Sequence, residues 1–183
     1  MRVLLVRHGQ TDWNAAGRIQ GVSDIPLNEL GREQARLLAA ELNRPDVIYT
    51  SPLKRARETA EIIGRELGSG VVCAPELTEL SFGDWEGCSW EEIGRRWPEE
   101  FALYAADRRN YAPPGGESYA GMTSRAWPFI TRLRSAPGGD ALCVCHSAVI
   151  RGVLAEERGL TVAESYDRIK LPNGIIIPLE SLT

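Results

Sequence analysis

The chain has only two histidines, and each one follows an apolar run. His8 comes after Val3-Leu4-Leu5-Val6 and Arg7, and His146 comes after Leu142-Cys143-Val144-Cys145. An imidazole nitrogen can attack phosphorus, and a guanidinium can hold phosphate oxygens in a bidentate fork. A strand that happens to end in Arg-His-Gly is not rare. Two histidines at the same place relative to two separate strands are a stronger coincidence. Parallel strands put their carboxyl ends on one side of a sheet, and ligands of open α/β sheets bind there. Both imidazoles are therefore expected to face a common site. Arg55 starts a helix after another short strand, so it is expected on the same side. Gly9 lets the backbone turn sharply and lets another group come close to His8.

Such a set suits a phosphomonoester, which carries about two negative charges at neutral pH. Two arginines and one imidazole would hold its oxygens and the charge of the transition state. The other imidazole, with its far nitrogen held by a hydrogen bond, would attack in line. A phosphohistidine would form and water would displace it. The departing alkoxide needs an acid, and such help is typically worth roughly 10²–10⁴ in rate. Glu79, in a segment that follows the third strand, is the candidate.

The elements that must position these groups can be read in order. Val3 to Val6 forms a buried parallel strand. Asp12 to Pro26 reads as a loop holding Asn14, Arg18, Gln20 and Gly21. Asn28 caps a helix from Glu29, with Leu30, Ala35, Leu38, Ala39 and Leu42 as its buried stripe, ended by Pro45. Asp46 to Thr50 is a second strand. Ser51 is expected as N-cap, with Pro52 in the first position of a helix whose stripe is Ala56, Thr59, Ala60, Ile63 and Leu67. Val71 to Ala74 is a third strand. Trp90 to Trp97 and Glu99 to Arg109 look helical, divided at Pro98. Ser118 caps a helix from Tyr119 to Leu133, with Pro128 an obstacle inside it. Ala141 to Cys145 is a fourth strand, followed by a helix from Ala148 to Glu157. Gly174 to Leu179 reads as an edge strand, because Pro178 cannot donate to a ladder. The alternation predicts a three-layer α/β/α sandwich on a mostly parallel sheet. The 183 residues suit a single domain, 1–183, with a helical cap insertion at roughly 79–114.

Composition narrows the partners. A formal net charge of −4 gives no global field for nucleic acid or an anionic membrane. Lys54, Arg55 and Arg57 form a local basic cluster. Cys73, Cys88, Cys143 and Cys145 lack the spacing of a disulfide scaffold and are expected to be buried small hydrophobes. A zinc site at Cys143, Cys145 and His146 is disfavoured, because a structural site needs four ligands. No metal or other cofactor is expected. No signal-peptide pattern and no apolar run of transmembrane length occurs, which points to a cytoplasmic protein.

The motifs together resemble the histidine phosphatase superfamily, the phosphoglycerate mutase-like proteins. Leu5-Val6-Arg7-His8-Gly9-Gln10-Thr11 looks like its signature, which puts His8 in the place of the phosphorylated nucleophile. Asn14 and Gln20 match loop positions that contact phosphate. Thr50-Ser51-Pro52-Leu53-Lys54-Arg55-Ala56 looks like the segment carrying the second phosphate arginine. Leu77-Thr78-Glu79-Leu80 matches the segment with the acid, and His146 matches the second pocket histidine. Gln10 stands where Glu is common, and Ser147 where Gly is usual; the Ser147 backbone N–H is still able to donate to phosphate. Phe82 to Gly87 and Pro113 to Ser118 look like the alpha-ribazole phosphatases of cobalamin synthesis and like broad-specificity members. The resemblance implies a metal-independent phosphomonoester hydrolase acting on a small molecule. A mutase and a silent phospholigand-binding module are the alternatives. Trp85 or Trp90 could stack on a benzimidazole base. Monomer and dimer stay open.

Overall fold

The computed structural model describes residues 1–179. The chain opens with β1 (Arg2–Arg7), whose interior residues are all buried. A single helical turn follows, α1 (Asp12–Ala15), then α2 (Glu29–Glu41) and β2 (Val47–Thr50). Next come α3 (Lys54–Leu67) and β3 (Val71–Cys73). A 3₁₀ turn (Gly83–Trp85), α4 (Trp90–Arg96) and α5 (Pro98–Ala106) occupy the long connection to α6 (Tyr119–Ser135). The chain then runs through β4 (Asp140–Cys145), α7 (Ser147–Arg158), α8 (Val162–Arg168) and β5 (Ile176–Pro178).

The five strands lie in the order β3-β2-β4-β1-β5. The first four are mutually parallel, and β5 closes the edge antiparallel to β1. Alternation along the central strands fills two cores. Leu4, Val6, Leu142, Val144 and Ile48 pack with Leu38, Ala39, Ala56, Ala60 and Ile63 of α2 and α3. Val3, Leu5, Ala141 and Cys143 pack in the cluster that contains Met122, Ile130, Val149 and Val153 of α6 and α7. The molecule is thus the expected α/β/α sandwich. Trp85, Ile93 and Tyr104, from the long connection, belong to that second cluster.

Several local expectations need correction. Ser51 does not cap α3: the N-cap is Leu53, with no side-chain cap bond, and the helix begins at Lys54. The Ser51 hydroxyl is engaged elsewhere, 2.8 Å from His146 Nε2. The stretch from Asp12 to Pro26 is not all loop, because Thr11 and Asn14 close a capping box on α1. Leu30 is 52% exposed rather than on the buried stripe of α2. Cys73 is exposed, whereas the other three cysteines are buried. It lies on β3, an outer edge strand of the sheet whose three residues are all exposed. The helix expected to reach Arg109 stops at Ala106, and α8 was not foreseen. Pro128 does not break α6. A mid-helix proline costs about 3 kcal/mol. Burial of Ala126, Phe129, Ile130 and Leu133 on the same helix outweighs it at roughly 1.5–3 kcal/mol per large side chain.

The turn after β1 is set by a close approach of two backbones. A Cβ added at Gly9 would lie 2.3 Å from the Gly31 carbonyl oxygen, and one added at Gly31 would lie 2.1 Å from that of Gln10. The first turn of α2 therefore rests directly on the chain that follows His8. Exchanging an exposed mid-helix glycine for alanine ordinarily stabilises by about 0.5–1 kcal/mol. Gly31→Ala is expected to do the reverse, destabilising by about 1–3 kcal/mol in chemical denaturation.

Candidate active site

The register of β1 against β4 brings the two histidines together. Arg7 pairs with Cys145, so His8 and His146 leave the sheet side by side. The His8 N–H still donates to the Cys145 carbonyl, at 3.1 Å. The imidazole centroids are 5.1 Å apart with the rings tilted 59°. Both side chains are buried.

The state of each ring follows from its partners. His8 Nδ1 lies 2.6 Å from the Gly9 carbonyl oxygen. A carbonyl only accepts, so Nδ1 carries the hydrogen and Nε2 presents its lone pair. Arg55 Nε meets that lone pair at 3.3 Å. Burial first, then Arg55 and Arg7, hold the His8 ring well below the ordinary histidine pKa, so it is neutral. Burial, Arg55, His8 and Arg7 do the same to His146. Its Nε2 faces Ser51, and its Nδ1 is buried without a partner.

Arg55 is almost completely buried near the start of α3. It donates to the Ser23 carbonyl at 2.8 Å and to that of Gly21 at 2.6 Å. Burial pulls its pKa down to about 10, so it keeps its charge at neutral pH. The loop offering those carbonyls is stapled by Glu86. That carboxylate accepts from Val22 N–H at 3.0 Å, Ser23 N–H at 2.8 Å and Phe82 N–H at 3.1 Å. Arg7 donates Nη1 to the Leu171 carbonyl, while its Nε is buried without a partner. Glu79 accepts from Leu80 N–H at 2.9 Å and Ala148 N–H at 3.3 Å. Burial raises its pKa against those bonds and against Arg55 and Arg7.

A cleft of about 180 Å³ opens over this group. Arg7, His8, Asn14, Gln20, Arg55, Glu79 and Ser147 all line it. Of the residues expected at the site, only His146 lies outside the lining, and its ring is against His8. Ser147 is the first residue of α7, whose amino end adds partial positive charge. Asn14 and Gln20 have structural duties too: the Thr11 hydroxyl is 3.1 Å from Asn14 Oδ1 and 3.0 Å from Gln20 Oε1. Gln10 points to other work, accepting from Asn28 Nδ2 at 3.0 Å. Lys54 and Arg57, the rest of the basic cluster, sit in ion pairs with Asp24 and Glu61. Trp85 is fully buried and presents no face to a ligand, whereas Trp90 is 40% exposed and lines the cleft. Among the described residues, no group of three or more His, Cys, Asp or Glu could hold a metal ion.

Four contributors were not foreseen. Tyr166, on α8, lines the cleft with its hydroxyl 2.7 Å from that of Tyr119. The Thr161-x-x-Glu164 capping box was the available signal for that helix. Asn173 donates Nδ2 to the His8 carbonyl at 3.1 Å and to the Gly9 carbonyl at 3.3 Å. Thr59 Oγ1 accepts from Gly9 N–H at 3.1 Å. Ser51 is the fourth. Nothing local in the sequence marks Asn173, and the helical spacing that put Thr59 on the buried stripe of α3 did not mark its bond to Gly9.

What gathers here is a buried positive site with polar atoms left over. Two guanidiniums stand beside two neutral imidazoles and one carboxyl group, and Arg7 Nε and His146 Nδ1 lack partners. Buried polar atoms without partners are rare in native proteins, and these two lie in a site with two guanidiniums. An anion with several oxygens fits. The buried rings also make stability depend on pH. Below about pH 6.5 the unfolded histidines take up protons that the folded ones refuse, so stability falls as pH drops. Glu79 works in the opposite sense, because its folded pKa is raised. The Tm is expected to decline between about pH 6.5 and 5, and His146→Asn to flatten that decline.

Comparison with known proteins agrees. Phosphoserine phosphatase 1 of Hydrogenobacter thermophilus is 34% identical over 169 residues, 91% of this chain and 80% of that protein. The adenosylcobalamin/alpha-ribazole phosphatase of Salmonella typhimurium is 36% identical over 162 residues, 85% of this chain and 76% of that one. A mycobacterial glucosyl-3-phosphoglycerate phosphatase, solved with VO3, superposes with a TM-score of 0.86 at 32% identity, over 98% of this chain and 90% of that chain. The family model for the histidine phosphatase superfamily (branch 1) matches residues 3–181, and the chain belongs to that superfamily as one of its phosphatases.

Proposed function

We propose that the protein hydrolyses small phosphomonoesters through a phosphohistidine on His8. The observation that carries this is the pinned tautomer of His8, which turns a neutral nitrogen lone pair toward Arg55 at the cleft floor. In the first step Nε2 bonds to phosphorus as the ester P–O bond breaks. The ring becomes positively charged, and the Gly9 carbonyl stabilises it through Nδ1–H. Arg55 passes its hydrogen bond from Nε2 to a phosphate oxygen. Arg7, His146, Asn14, Gln20 and the Ser147 N–H complete the cradle for the other oxygens. Glu79, whose raised pKa favours the protonated form, gives its proton to the departing oxygen. The resulting carboxylate then takes a proton from water as water attacks phosphorus. The P–N bond breaks, and His8 returns to neutrality.

For the substrate, the reading is alpha-ribazole 5′-phosphate or a broad set of small esters. The exposed Trp90, backed by Phe82 at 6.0 Å between centroids, supports a leaving group that carries an aromatic base. We read residues 79–114 as a cap that supplies this wall. The relatives' names offer phosphoserine and glucosyl-3-phosphoglycerate as further substrates to compare.

His8→Ala is expected to abolish turnover and acid-labile phosphate on the protein, and EDTA to leave turnover unchanged. Persistent activity in His8→Ala would falsify the mechanism. Glu79→Gln should cost roughly 10²–10⁴ in kcat for an alkyl phosphate and much less for p-nitrophenyl phosphate, whose leaving group needs no proton. Trp90→Ala should lower kcat/KM for alpha-ribazole 5′-phosphate by about tenfold, with phosphoserine little affected. Equal losses on both substrates would remove the stacking role. Conversion of 3-phosphoglycerate to its 2-isomer faster than phosphate release would instead establish a mutase.

A further inference from the structure

We infer that Ser51 is a positioning residue that sets the tautomer of His146, so that His146 meets the substrate phosphate as an Nδ1–H donor. This deepens the proposed function and rests on it for the identity of the ligand. It starts from a count of hydrogens around one buried hydroxyl. Ser51 is fully buried, between the end of β2 and the start of α3. Its backbone is fixed on both sides: Ser51 N–H donates to the Val144 carbonyl at 3.1 Å, and the Thr50 hydroxyl donates to the Ser51 carbonyl at 3.1 Å. Its Oγ accepts from Leu53 N–H at 3.3 Å and lies 2.8 Å from His146 Nε2.

A serine hydroxyl has one hydrogen to give and two lone pairs. Leu53 takes one lone pair. If the hydroxyl gives its hydrogen to Nε2, every polar atom of Ser51 is used, and neutral His146 must carry its own hydrogen on Nδ1. The one orphan is then Nδ1–H. If Nε2 held the hydrogen instead, the hydroxyl hydrogen and the Nδ1 lone pair would both be buried and unused. That lone pair would also repel a phosphate oxygen. The first arrangement leaves fewer buried groups unsatisfied and puts a donor where an anion binds. A ring held neutral by burial and by Arg55 cannot avoid the choice by keeping both hydrogens. Ser51 thus does for His146 what the Gly9 carbonyl does for His8. One ring is made an acceptor at Nε2 and the other a donor at Nδ1.

The two histidines of the chain make the test direct. Protein labelled with ¹⁵N-histidine gives two ring systems in a two-bond ¹⁵N–¹H correlation spectrum, assigned with His8→Gln. Both rings are expected as Nδ1–H tautomers at pH 7.5. In Ser51→Ala, an Nε2–H population of His146 should appear, and kcat should fall roughly ten- to a hundredfold with a smaller change in KM. Ser51→Thr, which keeps the hydroxyl, should restore both. An Nε2–H ring on His146 in the wild-type protein overturns the assignment, and so does Ser51→Ala with tautomer and kcat unchanged. The spectrum of the wild-type protein needs no turnover, and two Nδ1–H rings are recognised in it without any variant. Failure of the phosphohistidine reading would show separately, as activity in His8→Ala.

Discussion

The whole site depends on one register, that of β1 against β4. These strands lie side by side near the middle of the sheet, buried on both faces, and Arg7 stands opposite Cys145. A slip of one residue would turn every side chain of a strand to the wrong face, so two filled cores enforce the pairing. Neither histidine needs a loop to find the other. The ladder that buries Leu5 and Cys143 also sets two imidazoles 5.1 Å apart. Precision at the reacting centre is here a property of the core rather than of the surface.

Around that pair the protein spends hydrogen bonds unevenly. Arg55 is tied to two carbonyls, and the loop that carries them is held by the carboxylate of Glu86 through the Val22 and Ser23 N–H groups. Glu79 is tied to two backbone N–H groups. Arg7 Nε and His146 Nδ1 are left with nothing. Orientation is thus set in advance by these bonds, and the two unpartnered nitrogens lie on the groups that we propose meet an anion. Preorganised donors of this kind do not have to rearrange as charge moves in the transition state. The cost is a cluster of like charges in a dry place, visible in the depressed pKa values of both rings.

How much of this could be read from residue order varied with the range of the interaction. Strand ends and helix stripes are local, and they are enough to place His8, Arg55 and His146 on one side of the sheet. Glu79 was marked by its place after the third strand, whereas the phosphate-contact roles of the loop residues Asn14 and Gln20 came from the family resemblance. Ser51 misled, because Ser-Pro ahead of a helix is a capping pattern and a partner 95 residues away claims the hydroxyl instead. Asn173 and Thr59 reach the turn after His8 from distant elements; helical periodicity marked Thr59 as buried but not as a partner of Gly9, and no periodicity marks Asn173. The fate of Trp85 and Trp90 turned on packing alone. Similar residues in one segment became a core side chain and a cleft wall.

Residues 171 to 175 give the site a timetable. Leu171 takes a hydrogen bond from Arg7, and Asn173 holds the carbonyls of His8 and Gly9. Gly174 N–H donates to the Arg7 carbonyl at 3.1 Å, and the Ile175 carbonyl accepts from Arg7 N–H at 3.1 Å. His8 and the Asn173 side chain that holds its carbonyl are separated by 165 residues of chain. The turn that carries His8 therefore lacks these partners until the segment from Leu171 to Ile175 has been made and has folded back onto it.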